Sequence, residues 1–377
     1  MAEEKKLTVL QLLPALQSGG VERGTLEVAQ ALTKQGHRAL VISAGGRLVA
    51  PLTKTGAEHF TWPIGKKSLK TLLLVGKLRK FLAEEKVDIV HARSRVPAWI
   101  AWLAWRGMNP STRPRFVTTV HGPYSVSAYS AVMAKGERVI AISKMIINYI
   151  VRNYPKVPQE NVRLIYRGVD PKQFPSGYTP PDDWMRQWQQ EHPGLAGKKI
   201  LLLPARLTRW KGQTDFIDML EQVIKTRPDV HGLIVGETHP RKQAFMAELE
   251  ARSKRLGVCQ HLSFISHRAD LREIMAISDI VYSLSREPEA FGRVSLEALS
   301  LGKPLIAYDH GGVKEQLAAI LPEGAISVGD IGQAARKTLR WLDAPPHVPE
   351  QNPFTLERML TATLDVYTEL SRAPRSK

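Results

Sequence analysis

Two glutamates eight positions apart, Glu289 and Glu297, bracket an aromatic–glycine pair in the run Glu289-Ala-Phe-Gly-Arg-Val-Ser-Leu-Glu297. An apolar strand-like run, Asp279-Ile-Val-Tyr-Ser-Leu-Ser, precedes it, and a helix-like run from Val294 to Leu301 follows. A strand that turns tightly into a helix leaves the backbone N–H groups of the turn pointing outward at the helix N-terminus, which suits an anion or a ring of hydroxyls. Glu289, in the turn, and Glu297, more than two helical turns on, are placed to grip two separate parts of one elongated ligand.

Three further stretches have the same form, a predicted strand running into glycine and charge. Ser18-Gly19-Gly20-Val-Glu-Arg23 follows the first strand, and paired glycines there let a ligand approach the backbone closely. The pattern G-x-G-x-x-G is absent, which argues against a dinucleotide fingerprint. Ala205-Arg206-Leu-Thr-Arg-Trp-Lys211-Gly212 combines the planar fork of arginine with the mobile point charge of lysine, a pairing suited to a diphosphate. Ala307-Tyr-Asp-His-Gly-Gly-Val-Lys-Glu315 is another strand end with paired glycines. In Val120-His121-Gly122 the histidine could bond a sugar hydroxyl or support a reacting group.

The elements that must carry these groups alternate strand-like apolar runs with helical patterns in both halves of the chain, predicting two open parallel α/β sheets. Strands are predicted over residues 7–13, 39–43, 87–91, 116–120 and 139–142, then over 199–204, 232–236, 262–265, 279–284 and 304–308. The resulting domains are 1–172 and 198–345, joined by a linker over 173–197 rich in proline and glycine; a proline-rich segment and final helix fill 346–377 and could pack back on the first domain. Ligands of open α/β sheets bind beyond the carboxyl ends of the strands, so two such domains facing each other would enclose a cleft.

Composition narrows the classes. One cysteine, Cys259, excludes an intramolecular disulfide and fits a reducing compartment, and no apolar window approaches the roughly 20 residues of a membrane span. The net charge of +17 is uneven: residues 1–170 hold 26 Lys and Arg against 11 Asp and Glu, the remainder 27 against 25. A field of that size on the first half attracts an acidic surface or polyanion. The segment Lys66 to Leu82 concentrates it. Lys66, Lys67 and Lys70 precede Leu72, Leu73 and Leu78, with Leu69 among them, as in a basic amphipathic helix lying on an anionic membrane; packing of the leucines on the sheet is the simpler reading of those side chains. Trp99, Trp102 and Trp105 fit a buried crossover helix better than interfacial anchors.

The ordered set of early Gly-Gly, strand-end His-Gly, Arg…Lys-Gly, Glu-x7-Glu and late Gly-Gly resembles the retaining glycosyltransferases of family 4 (group 1), with the GT-B architecture of two Rossmann-like doubly wound domains. The likeness covers essentially the whole chain. Within the family, Gly-Gly-Val-Glu-Arg-Gly, Ile-Ser-Ala-Gly-Gly-Arg-Leu and Glu-Pro-Glu-Ala-Phe-Gly-Arg resemble enzymes that extend the lipopolysaccharide core. The resemblance implies that Arg206 and Lys211 neutralise the donor diphosphate, Glu289 holds the donor sugar, and Phe291 and Gly292 supply the turn that approaches it. It further implies that Glu297 binds ribose hydroxyls, that Gly19 and Gly20 close over donor phosphates and acceptor, and that His121 lies near the transferred sugar. Glu287 also lies in the turn, and the eight-position spacing selects Glu289.

The implied reaction moves a hexose from a nucleotide diphosphate sugar, UDP-linked by family habit, to an acceptor hydroxyl with retention. A front-face departure makes Glu289 a positioning residue. With no Asp-x-Asp near a strand end, neither a catalytic metal nor another cofactor is expected beyond the nucleotide sugar as co-substrate. The expected partners are that donor, an anionic glycolipid acceptor and an anionic membrane, at the inner face of the cytoplasmic membrane as a peripheral protein. Two other readings stand beside this one. A sugar-nucleotide epimerase on the same scaffold would convert the donor alone. A basic nucleic-acid-binding protein would carry stacking aromatics interleaved with Lys and Arg, which are not evident, so no nucleic acid is expected.

Overall fold

The computed structural model describes residues 5–374, apart from residue 18 and residues 237–242. The chain divides into two compact units, residues 1–167 with 357–377, and residues 168–356.

The first unit runs β1 (Thr8–Leu12), α1 (Gly20–Lys34), β2 (Arg38–Ser43), α2 (Val49–Thr53), β3 (Glu58–Thr61), α3 (Leu74–Glu84), β4 (Ile89–Ala92), α4 (Arg95–Arg106), β5 (Arg115–Val120), β6 (Arg138–Ala141), α5 (Lys144–Asn153) and β7 (Val162–Leu164). Its seven strands are all parallel, in the order β3-β2-β1-β4-β5-β6-β7. Because β5 is buried along its whole length, it needs cover on both faces, and helices provide it. The second unit runs α6 (Asp182–Glu191), β8 (Lys199–Pro204), α7 (Gln213–Ile224), β9 (Val230–Val235), α8 (Gln243–Arg255), β10 (Leu262–Ile265), α9 (Leu271–Ile277), β11 (Ile280–Ser283), α10 (Arg293–Ser300), β12 (Leu305–Tyr308), α11 (Gly311–Ile320), β13 (Ala325–Ile326) and α12 (Ile331–Asp343). Its six parallel strands are ordered β10-β9-β8-β11-β12-β13. Both sheets are therefore doubly wound and Rossmann-like. The direction of winding reverses between β1 and β4 in one and between β8 and β11 in the other, and a crevice opens at such a reversal.

The last helix, α13 (Leu356–Arg372), contributes to the first unit, where its Tyr367 hydroxyl lies 2.6 Å from Nδ1 of His91 on β4. The other nitrogen of His91 meets Thr119 Oγ1, also at 2.6 Å, so this fully buried imidazole is satisfied at both ends.

Several expectations change. Strands β3, β7 and β13 are additional; they are short edge strands of two to four residues and lack the apolar run that marks a central strand. The stretch read as a linker over 173–197 is part of the second unit. Trp184 Nε1 donates to Asp270 at 2.7 Å, Tyr178 bonds Glu273 at 3.1 Å, and Trp188 is buried. Lys66 to Leu82 is not one helix: a 3₁₀ turn over Leu69–Leu73 precedes α3. Leu78 and Leu82 pack inward, whereas Leu72 is 51% and Leu73 77% exposed; the side chain of Leu69 lies outside the described set. On the crossover helix α4 the most buried side is Ala98, Ile100, Ala101 and Ala104. The three tryptophans lie half-buried at its margin, with Trp99 and Trp105 donating to the carbonyls of Tyr129 and Pro114. Among the described residues, no helix is long and apolar enough to cross a membrane.

Candidate functional site

The reversal between β8 and β11 brings two loops of the second unit together. Lys211, in the loop after β8, and Glu289, in the loop after β11, form an ion pair with Nζ 2.7 Å from Oε1, and both side chains are largely buried. Ser285 Oγ donates to the same Oε1 at 2.5 Å. The lysine also lies over the Trp210 ring, 4.3 Å from its centroid. With strand-end residues of β8 and β11 and with Gly292, Arg293, Val294 and Ser295 at the start of α10, the pair lines a cavity of about 60 Å³.

Glycine makes this geometry possible at two points. Gly212 has φ +77°, and a Cβ there would strike the carbonyl oxygen of Leu284. Gly311, at φ +63°, would place a Cβ 2.5 Å from the Glu289 carbonyl oxygen. Its neighbour Gly312 donates its N–H to that oxygen at 2.7 Å, which fixes the backbone of Glu289 from below.

The same two loops carry a network that the sequence did not single out. Asp215 on α7 is fully buried and accepts from Arg286 Nε at 2.9 Å and Nη2 at 2.5 Å, and from the Tyr308 hydroxyl at 2.5 Å. Arg286 also donates its backbone N–H to Trp210 O at 2.7 Å, and a ring nitrogen of His310 lies 2.6 Å from Ser285 O. Together these tie the two loops to α7 and β12, so a buried charge is paired rather than stranded. The partnership spans 71 residues between Asp215 and Arg286, too far apart for any local pattern to disclose.

The remaining second-unit residues occupy distinct places. Arg206 is exposed and, among the described residues, its guanidinium has no partner; its carbonyl accepts from Gln213 Nε2 at 2.9 Å. Phe291 is buried edge-to-face against Phe354, with centroids 5.9 Å apart, while its carbonyl accepts from Gln316 at 2.6 Å. Gly292 caps α10 at φ +85°. Glu297 is buried on α10 and accepts from Arg293 Nε at 3.3 Å.

In the first unit, Gly19 (φ +137°) and Gly20 lead into α1, and a Cβ on Gly19 would come within 2.7 Å of Glu22 Oε2. Burial raises the pKa of Glu22 above the ordinary carboxylate value. His121 follows β5. Its Nδ1 lies 2.8 Å from Arg167 Nη2, its backbone N–H donates to the Tyr124 hydroxyl at 3.3 Å, and its Nε2 is enclosed without a partner among the described residues. Burial, then the charges of Arg167 and Arg93, hold the imidazole pKa well below its usual value. Arg167 itself was missed in the sequence, where only its place after an apolar run marks it. Lys66, Lys67 and Lys70 are exposed, with Lys67 Nζ 5.9 Å from the Tyr129 ring.

Two parallel doubly wound units, with cationic and acidic side chains at the strand ends, define a two-domain nucleotide-fold protein. Comparison with known proteins names the class. Residues 18–173 match the family described as Glycosyltransferase Family 4, and residues 185–352 match Glycosyl transferases group 1. A glycosyltransferase of solved structure from Rickettsia africae ESF-5 is 30% identical over 97% of this chain and 99% of its own, with a TM-score of 0.84. The chain belongs to the family 4, group 1 glycosyltransferases and is a glycosyltransferase.

Among relatives, Spore coat protein SA of Bacillus subtilis is 28% identical, over 80% of this chain and 79% of its own. The D-inositol 3-phosphate glycosyltransferase of Jonesia denitrificans is 33% identical over 61% of this chain, and the match spans 58% of that enzyme. Anabaena Alr3699/HepE, solved in complex with UDP and glucose, shares the fold at 23% identity, covering 96% of this chain and 100% of its own, with a TM-score of 0.80.

Proposed function

We propose that this chain transfers a hexose, with retention of configuration, from a nucleotide diphosphate sugar to the hydroxyl of an anionic glycolipid, in assembly of the lipopolysaccharide core or a related envelope glycan. UDP is the proposed nucleotide, supported by the UDP and glucose bound to HepE, a relative in fold. The observation that carries the reading is the Lys211–Glu289 pair, set against the first turn of α10. As the donor bond breaks, the diphosphate gains negative charge. Lys211, the exposed guanidinium of Arg206 and the amides at the start of α10 are the groups to receive it. Since these cations answer the leaving-group charge, transfer proceeds without a metal. Glu289 takes hydroxyls of the sugar and positions it, while the departing phosphate takes the acceptor proton. Glu297 binds the ribose, the Phe291–Gly292 turn carries the amides that approach the sugar, Gly19 and Gly20 form the loop near phosphates and acceptor, and His121 contacts the transferred sugar.

The acceptor reading rests on the first-half charge. Exposed Lys66, Lys67 and Lys70 stand beside Leu72 and Leu73, a surface suited to peripheral attachment at the inner face of the cytoplasmic membrane. A thermal-shift panel of UDP, GDP and ADP sugars tests the donor assignment, since a ligand bound only by the folded protein raises its melting temperature. The UDP sugars should raise it most; no rise with any of them would overturn the assignment. EDTA should leave transfer unchanged, and a loss restored by Mg²⁺ would refute the metal-free step.

A further inference from the structure

We infer that Arg167 is a positioning residue that locks His121 into one tautomer, making its Nε2 a permanent hydrogen-bond donor and removing the imidazole from any role as a base. A guanidinium carries donors only. With Arg167 Nη2 at 2.8 Å, Nδ1 of His121 must present its lone pair, so the single ring proton resides on Nε2. An imidazolium would set two donors against each other and is excluded by the same contact. Nε2–H is then a donor enclosed by the protein with no acceptor among the described residues, a state that native structures rarely leave unfilled. The acceptor it awaits is an oxygen bearing a lone pair, which a sugar hydroxyl supplies.

The arginine is held for this task. It is 8% exposed, its Nη1 lies 3.7 Å from Met359 Sδ on α13, and it runs so close to α1 that a Cβ on Gly24 would sit 2.6 Å from the same nitrogen. A side chain at position 24 would thus displace the guanidinium from its present place against α1. The charges facing the imidazole all oppose its protonation: Arg167 after β7, Arg93 after β4, and His91 on β4 should that ring gain a proton. Tyr124, whose hydroxyl accepts from the His121 N–H, is itself kept neutral by burial. This inference rests on the proposed place of His121 beside the transferred sugar only for its use in catalysis; the tautomer stands on the Arg167 contact alone.

The test is long-range ¹H–¹⁵N correlation of the His121 ring in the full-length protein, comparing wild type, Arg167→Met and Arg167→Lys. In the wild type the ring should remain in the Nε2–H form from pH 5.5 to 8.5, without titrating. Arg167→Met should give a mixture of tautomers and a titration moved upward but still below the usual histidine range, because burial, the larger cause, remains; Arg167→Lys, which still presents a donor, should restore the single tautomer. An Nδ1–H ring in the wild type, or an unchanged ring in Arg167→Met, overturns the inference. Turnover of UDP-glucose should acquire an acidic limb in Arg167→Met that Arg167→Lys lacks. If His121→Ala turns over like the wild type while the ring spectra behave as described, the tautomer lock stands and the placement of His121 at the transferred sugar fails.

Discussion

The ion pair between Lys211 and Glu289 makes opposite demands on donor binding, and separating them tests the donor site most sharply. At 2.7 Å, two unit charges attract by about 6 kcal/mol at an effective dielectric of ~20. Desolvation of two largely buried groups offsets most of that, leaving a net coupling of about 1–2 kcal/mol. A diphosphate must draw Lys211 away from Glu289 or share it. Glu289→Gln removes the competing charge and keeps an acceptor for Ser285, so UDP should bind equally or up to about 30-fold more tightly, by that same coupling. Lys211→Ala should weaken UDP by about 10-fold to 100-fold, the range for a charge-assisted contact. Turnover should nevertheless fall about 100-fold in both variants, because one removes a charge that meets the leaving diphosphate and the other the carboxylate that positions the sugar. Isothermal titration with UDP and steady-state transfer assays on the two variants and their double mutant measure all of this. If Glu289→Gln weakened UDP as much as Lys211→Ala does, the pair would not be competing with the diphosphate and the argument would fail.

Other outcomes follow from separate features. Gly212→Ala should cost about 2–4 kcal/mol in urea unfolding, through a positive φ and a collision with Leu284 O, whereas Gly257→Ala, at φ +70° with open space around it, should cost only about 1 kcal/mol; equal losses would remove the collision from the account. Binding to anionic vesicles should weaken sharply with salt, and replacing Lys66, Lys67 and Lys70 with Gln should cost about 1 kcal/mol per charge. Equal binding to neutral vesicles, or none at low salt, would reassign the charge to the acceptor alone. Burial, and then the charges of Arg93 and Arg167, hold His91 well below the usual histidine pKa, so below about pH 6.5 the unfolded chain takes up a proton that the folded chain refuses. Stability should therefore be flat between pH 7 and 8 and fall by about 1.4 kcal/mol from this group alone by pH 5.5. A His91→Gln variant with the same slope of urea midpoint against pH would show that the loss arises elsewhere.

The sequence by itself determined the parallel α/β class, the two-part organisation and the strand-end location of its charged motifs. Those features are local: a buried parallel strand reads as a continuous apolar run, and a turn into a helix is marked by glycine within a few residues. What escaped was short, exposed or long-range. Strands β3, β7 and β13 have little apolar surface to announce them, and the hydrophobic side of Lys66 to Leu82 looked like one helix because a 3₁₀ turn keeps nearly the same spacing. Motif order singled out Lys211 and Glu289 separately, yet only the adjacency of β8 and β11 made them partners. Asp215 and Arg286, His91 and Tyr367, and His121 and Arg167 are likewise paired across 71, 276 and 46 residues. Buried polar groups are compelled to find partners, but the chain's folding path through space, not its local pattern, decides which ones they meet.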